Sequence, residues 1–282
     1  MKLIILGSGS PEAYARRASS GYLIEVGNDR ILFDCGGGVF DNLIRSGRMP
    51  SDITHIFFSH LHSDHMMDYA RLVHAAWDES GTTIKVFGPT PIKAITKGYF
   101  GPKGVLSHDL RARTELPQSQ EVWVARGGNL PRLWPNLEIH EITPGSTFEG
   151  DGWSIESCNA PHAQPFLECM AYSLVHEGKK FVYSGDAGLC TEVENLAKNA
   201  DLLLHWCYRL DGEDATPSMA LTTPTPSKIG QMAKRTGAAA LMLTHFRKHM
   251  DKQEHFDRAI QNATGAFGRI VAIAEDLMQV EI

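Results

Sequence analysis

Three imidazoles and a carboxylate fall within six residues, His60-Leu61-His62-Ser63-Asp64-His65. Groups so polar, placed directly after the apolar run Ile53 to Phe58, cost desolvation energy unless something pairs them. A metal ion is the natural partner. Zinc takes imidazole nitrogen and carboxylate oxygen at about 2.0 to 2.2 Å, and a tight turn between a strand and a helix can aim alternate side chains at two ions. A nitrogen-rich donor set favours zinc, with manganese, iron or cobalt as alternatives. The competing interpretation, a solvated polar loop, weakens once the distant histidines are counted.

The elements that must carry these groups are visible in the hydrophobic pattern. Ile53 to Phe58 is apolar without alternation, which reads as a buried strand delivering Ser59 and His60 at its C-terminal end. The same order recurs where Lys180-Phe-Val-Tyr183 runs into Ser184-Gly185-Asp186, and where Ala240-Leu-Met-Leu243 runs into Thr244-His245. Three apolar strands thus each end on a candidate ligand. Near the start, Leu3 to Leu6, Gly21 to Val26 and Ile31 to Phe33 are joined by Gly, Asn and Asp turns, which predicts an antiparallel meander. A helix is signalled by Thr225 as cap, Pro226 at the first turn, the apolar positions Ile229, Met232 and Ala233, and Gly237 as the stop. Residues 100 to 137 carry prolines, glycines, Trp123 and Trp134 with little periodicity, as an inserted loop, a lid or a plain surface excursion would. With no linker and no repeat of solenoid period, residues 1 to 282 read as one domain.

The chain carries, in order, Leu6-Gly-Ser-Gly-Ser10, Ser20-Gly-Tyr-Leu-Ile-Glu-Val26, Ile31-Leu-Phe-Asp-Cys-Gly36, the His60 cluster, Ala160-Pro-His162, Ser184-Gly-Asp186 and Leu243-Thr-His245. In order and spacing they resemble the metallo-β-lactamase superfamily, and within it the ribonuclease Z-like branch, over nearly the whole chain. The resemblance implies an αβ/βα four-layer sandwich of two mixed β-sheets flanked by helices. It also implies two metal ions per chain. His60, His62 and His162 would hold one ion, Asp64, His65 and His245 the other, and Asp186 would bridge them. Asp34 would orient the cluster from behind by hydrogen bonding, and homodimers are expected by the same analogy. The remaining histidines, His74 among them, are expected to be structural.

Two adjacent cations lower the pKa of a water held between them toward about 7 and polarise the bond under attack, so the reaction class is hydrolysis, with Asp64 and Asp186 orienting the water. Departures from ribonuclease Z bear on the substrate. Trp206 stands where the branch carries the glutamate of a His-Glu pair, and Thr223 where it carries a proton-donating histidine. Only a short stretch separates His162 from Asp186, with no room for a long basic arm, and the chain has a formal charge of −6. These features predict a small-molecule hydrolase acting on a good leaving group, such as a phosphodiester, sulfate ester, lactone or activated aromatic halide. They count against nucleic acid as a partner. The alternative is a ribonuclease Z-like nuclease or a cyclic-nucleotide phosphodiesterase; a scaffold that binds without catalysis is disfavoured by the intact ligand positions. Trp206, Tyr208 and Arg209 are expected to line the substrate pocket. Five scattered cysteines without a Cys-x-x-Cys pair argue against a disulfide framework and for a reducing compartment. The opening Lys2 to Gly7 reads as a first strand rather than a signal segment, no stretch approaches a membrane span, and a cytoplasmic protein is expected.

Overall fold

The computed structural model describes residues 1–79 and 83–282. Two seven-stranded mixed sheets pack face to face. The first is built from β1 (Lys2–Gly7), β2 (Gly21–Val26), β3 (Asp29–Phe33), β4 (His55–Phe57), β5 (Ile84–Gly88) and β6 (Leu137–Glu141) in that spatial order. The second runs from β7 (Thr147–Glu149) through β8 (Trp153–Asn159), β9 (Met170–His176), β10 (Lys179–Tyr183), β11 (Leu202–Trp206) and β12 (Ala240–Thr244) to β13 (Ile270–Ile273). The last strand, β14 (Gln279–Glu281), returns to the first sheet and pairs antiparallel with β1. In each sheet an antiparallel meander adjoins a parallel set: β1 to β3 followed by β4 to β6, and β7 to β10 followed by β11 to β13.

Strand periodicity builds the layers. Leu3 and Ile5 point between the sheets, where they meet Phe33, Phe57, Tyr172, Phe181 and Met242. Their neighbours Ile4 and Leu6 point outward, into a layer containing α1 (Val39–Arg45), α3 (Tyr69–Glu79) and α4 (Ile92–Phe100); the single turn α2 (Ser63–Met66) precedes α3. A strand buried on both faces needs apolar residues at consecutive positions, which is why Ile56, Phe57 and Phe58 do not alternate. On the far side, Leu241 and Leu243 face the helices α7 (Thr191–Leu196), α9 (Pro226–Thr236) and α10 (Gln253–Phe267). The four layers and the two mixed sheets are those that the resemblance implies. Helix α9 starts at Pro226 and stops at the left-handed Gly237, as its cap signals predict. The bond that caps it comes from elsewhere, however: Ser227 N donates to Asp211 Oδ2 at 3.1 Å. Among the described residues no helix is long and apolar enough to cross a membrane.

Residues 100 to 137 are more regular than their composition suggests. They contain α5 (Ser107–Glu115) and α6 (Pro117–Ala125), and Phe100 and Leu110 belong to the outer core of the first sheet. The irregular part that follows is fixed by one residue. Arg132 inserts its guanidinium between the rings of Trp77 and Trp123, at 4.1 and 4.2 Å, and donates to Asp78 at 2.6 Å. Stacking and charge pairing here replace the apolar periodicity that sequence patterns detect. His74 belongs to the same clasp, bonding Asp109 of α5 at 2.7 Å. The remaining short helix, α8 (Pro217–Thr222), lies in the loop after β11.

Helices α9 and α10 cross at Gly230, where an added Cβ would lie 2.4 Å from the carbonyl oxygen of Ala263. Helix propensity alone would make Gly230→Ala stabilising by about 1 kcal/mol. The close crossing reverses the sign, and a net loss of about 1 to 3 kcal/mol is expected from overpacking, read as a lowered urea midpoint with an unchanged slope.

Candidate metal centre

Every candidate ligand sits just past the C-terminal end of a strand or in the turn that follows. Strand β4 hands the chain through Phe58 and Ser59 to His60. His62 then serves as the cap of α2, whose single turn presents Asp64 and His65. Strand β10 leads to Asp186, β12 to His245, and the loop after β8 to His162. Two of these exits use left-handed backbone, Gly185 (φ 53°) before Asp186 and His245 (φ 62°), as does Asp34 (φ 58°) after β3. For residues other than glycine that conformation costs energy and is held only where the surroundings enforce it. Gly185 is required for a second reason, since a Cβ there would lie 2.7 Å from Met170 O. Gly36 likewise admits the ligand turn, because its missing Cβ would fall 2.1 Å from Asp64 O.

The donors converge in two groups. His60 Nε2 lies 3.0 Å from His62 Nδ1, which lies 3.3 Å from His162 Nε2. His65 Nε2 lies 3.3 Å from His245 Nε2, and Asp64 Oδ2 is 3.2 Å from His245 and 3.5 Å from His65. Asp186 Oδ2 stands between the groups, 3.1 Å from His245, 3.4 Å from His65 and 3.8 Å from His162. Ligands bound at about 2.0 to 2.1 Å in a tetrahedron are separated by about 3.3 Å, so these spacings fit ions at the centre of each group. Asp186 Oδ1 is buried without a hydrogen-bond partner among these imidazoles, which is costly unless a further partner such as a cation satisfies it. The residues therefore fit bound metal.

Behind them lies Asp34, fully buried. Its carboxylate accepts hydrogen bonds from Ser59 N (2.7 Å), Ser59 Oγ (2.7 Å) and Tyr183 OH (2.8 Å), and its Oδ2 lies 2.8 Å from His65 Nδ1. Ser59 Oγ is also 3.0 Å from His60 Nδ1. One anion thus engages Nδ1 of His65 directly and that of His60 through a hydroxyl, so that Nε2 is the nitrogen each ring turns to the centre. Electrostatics divide the histidines. Burial, aided by nearby His65, keeps the pKa of His60 well below its ordinary value, and burial lowers His162 as well. Burial also opposes the charged form of His65 and His245, but Asp186 outweighs it, assisted by Asp34 at His65 and by Asp64 at His245. His65 is raised well above the ordinary value and His245 to about 9. Asp186 is pushed the other way, far below the carboxylate range, because His245 and His65 outweigh its burial.

Trp206 is almost fully buried and meets His162 and His245 edge-on, with ring centroids 5.2 and 5.6 Å apart. Tyr208 follows at 5.5 Å from Trp206 and 6.4 Å from His245. Arg209 departs from this pair: its guanidinium bonds the carbonyls of Glu213 and Thr223 and the Thr223 hydroxyl, tying a loop together. Sequence patterns missed Ser59 and Tyr183; the only trace of the latter is a tyrosine ending an apolar strand just before Ser184-Gly185-Asp186.

Residues 29–246 match the family model described as a beta-lactamase superfamily domain. The chain belongs to the metallo-β-lactamase superfamily. Ribonuclease Z of Mycobacterium sp. (strain KMS) is 26% identical over 287 residues, covering 100% of this chain and 96% of the relative. Among solved structures, the metallo-β-lactamase fold protein YhfI from Bacillus subtilis superposes with a TM-score of 0.77 at 21% identity, covering 100% and 98% of the two chains. Human tRNase Z, short form, superposes at 0.71 with 21% identity, covering 100% and 99%. Membership in this hydrolase superfamily makes the chain a metal-dependent hydrolase. The expectation that nucleic acid is no partner is overturned by relatives that carry the ribonuclease Z name and align along almost their entire length. Its physical error was to use net charge, which averages the whole surface, where phosphodiester recognition needs only a few local contacts.

Two outcomes are expected at this centre. Asp34→Asn should keep the fold but weaken zinc binding about 10- to 100-fold, as loss of a ligand-orienting partner does, read by competition with a chromophoric chelator. Because His65 and His245 hold protons near pH 7 in the metal-free protein, metal must displace them. Zinc binding should therefore release protons and tighten as pH rises toward 9. Calorimetry in buffers of different ionisation enthalpy reads that release, and equal apparent enthalpies in all buffers would exclude it.

Proposed function

We propose that this chain is a phosphodiesterase acting on nucleic acid, working with two metal ions, zinc foremost. One observation supports the metal count: seven donors form the overlapping sets His60-His62-His162, His60-His65-Asp186 and Asp64-His65-His245, with Asp186 Oδ2 3.1 to 3.8 Å from His245, His65 and His162. The ribonuclease Z relatives support the substrate class. In this reading His60, His62 and His162 would hold one ion, Asp64, His65 and His245 would hold the second, and Asp186 would serve both. When bound, two such ions lower the pKa of a water toward about 7 and stabilise charge on the phosphoryl oxygens.

The chain's own groups do the rest. Neutral His60 and His162 offer lone pairs without first losing a proton. Asp64 and Asp186, held ionised by the neighbouring imidazoles, orient the attacking water through its hydrogens. Trp206 closes the His162 and His245 side against bulk solvent, which strengthens every charge interaction within. Among the described residues no strong proton donor takes the place of the family pair. Trp206 has its indole N–H bonded to Ala187 O, Thr223 gives its hydroxyl to Met219 O, and His205 is sealed in β11 and held neutral by burial, which lowers its pKa to about 4. Turnover should accordingly be fastest where the departing oxygen is a stable anion.

Wild-type protein loaded with zinc or manganese is expected to hydrolyse both a short RNA and bis(4-nitrophenyl) phosphate, the aryl ester faster. Asp64→Asn should lower kcat/KM on both by about a thousandfold or more. Turnover of lactones or aryl sulfates with RNA and phosphodiesters left intact would sink the proposal.

A further inference from the structure

Arg247 follows the ligand His245 by two residues, and its backbone neighbourhood is pinned. Phe246 N donates to Ser8 O at 2.9 Å, Phe246 O accepts from Ser10 N and Tyr14 OH, and Lys248 N donates to Glu12 Oε2. The Arg247 guanidinium lies over the Tyr208 ring, 4.9 Å from its centroid. Since that ring is 6.4 Å from His245, the cation stays within about 11 Å of a metal-ligand imidazole. Among the described residues only Glu12 approaches it, at 3.5 Å from Nε, too far for a good hydrogen bond, and Nε is buried without a hydrogen-bond partner. Glu12 already serves the Lys248 amide. The guanidinium is therefore oriented by an aromatic platform and a weak anion, while its planar fork is not committed to a carboxylate. A phosphate fits that vacancy in geometry and charge.

Resting on the phosphodiesterase reading above, we propose that Arg247, braced on Tyr208, binds a phosphate of the substrate next to the scissile one. The site thereby selects a nucleotide chain with at least two phosphates over an isolated phosphodiester. This gives an acidic protein a local means of holding a polyanion. Glu12 keeps the side chain in place between turnovers and is displaced by a better-matched anion.

The test compares a dinucleoside monophosphate with the same dinucleotide carrying a terminal phosphate at its 5′ or 3′ end, using metal-loaded protein. The wild type should show a lower KM for one phosphorylated form. Arg247→Gln should raise that KM about tenfold with kcat little changed, and Arg247→Lys should recover part of it. In parallel, fluorescence anisotropy of a labelled single-stranded RNA is followed against salt. Arg247→Gln should flatten the log–log slope by about 0.7, the loss of one phosphate contact on a single strand. Lys234→Gln, an exposed cation on the outer helix α9, should leave that slope as it is. Equal KM values for all forms and an unaltered slope in Arg247→Gln would overturn the inference. If the wild type cleaves none of the dinucleotides, the phosphodiesterase reading fails separately, and the anisotropy slopes alone decide whether Arg247 holds a phosphate.

Discussion

The buried carboxylate of Asp34 is the constraint on which the rest of the structure depends. An ion removed from water costs several kcal/mol unless its lone pairs are fully engaged. Asp34 meets that condition with an amide, two hydroxyls and an imidazole. Those partners come from different places: Ser59 from the exit of β4, His65 from α2, and Tyr183 from the end of β10 in the opposite sheet. The interaction therefore ties the two sheets together at the point where the ligands emerge. Asp34 itself stands in left-handed backbone at φ 58°. Strain at one residue is offset by bonds that position several others.

Much of this was legible in the amino-acid sequence, for identifiable reasons. His60, His62, Asp64 and His65 are close in sequence and follow a strand whose uninterrupted apolar run can only be doubly buried. Asp186 and His245 repeat that context, so each strand and the candidate ligand at its end were visible together. Helix α9 was equally plain, since Pro226 and Gly237 act locally. What remained hidden depends on contacts distant in sequence. Tyr183 matters because β10 faces β3 across the core, and nothing in Lys-Phe-Val-Tyr marks that pairing. Arg132 folds the stretch after α6 through two indoles and Asp78, an arrangement without periodicity. Arg209 looked like a pocket residue because it follows Trp206 and Tyr208, but its guanidinium turns to carbonyls of its own loop.

The error about nucleic acid has a different origin. A formal charge of −6 describes a sum, whereas attraction for a phosphate is set within roughly one Debye length, about 8 to 10 Å at physiological salt. Near this centre the sum is misleading. Asp64 and Asp186 face the histidines and are neutralised there, and Asp34 is sealed in the core. Much of the remaining acidity is paired on the surface with arginine, as at Asp41 with Arg71 and Glu115 with Arg111. Counting residues cannot separate these roles, but burial and partners do.

The arrangement of the two sheets explains why such a centre needs both halves of the chain. Each sheet places an antiparallel meander beside parallel strands, and the strands that end on ligands emerge toward a common seam. His60, His62, Asp64 and His65 come from the first sheet, whereas His162, Asp186 and His245 come from the second. Each donor group therefore draws ligands from both sheets: His162 completes the pair of the first, and His245 completes the Asp64 and His65 set of the second. Neither half alone offers a full candidate set, so any metal affinity of this centre would belong to the docked state. An ion that binds only that state stabilises it by mass action, by about 4 kcal/mol at a free concentration a thousand times the dissociation constant. The buried Asp186 Oδ1, which lacks a partner in the bare protein, is the local expression of the same coupling. The centre is left under-satisfied by protein atoms alone, and the fold tolerates this because its layers are held by the three apolar cores around it.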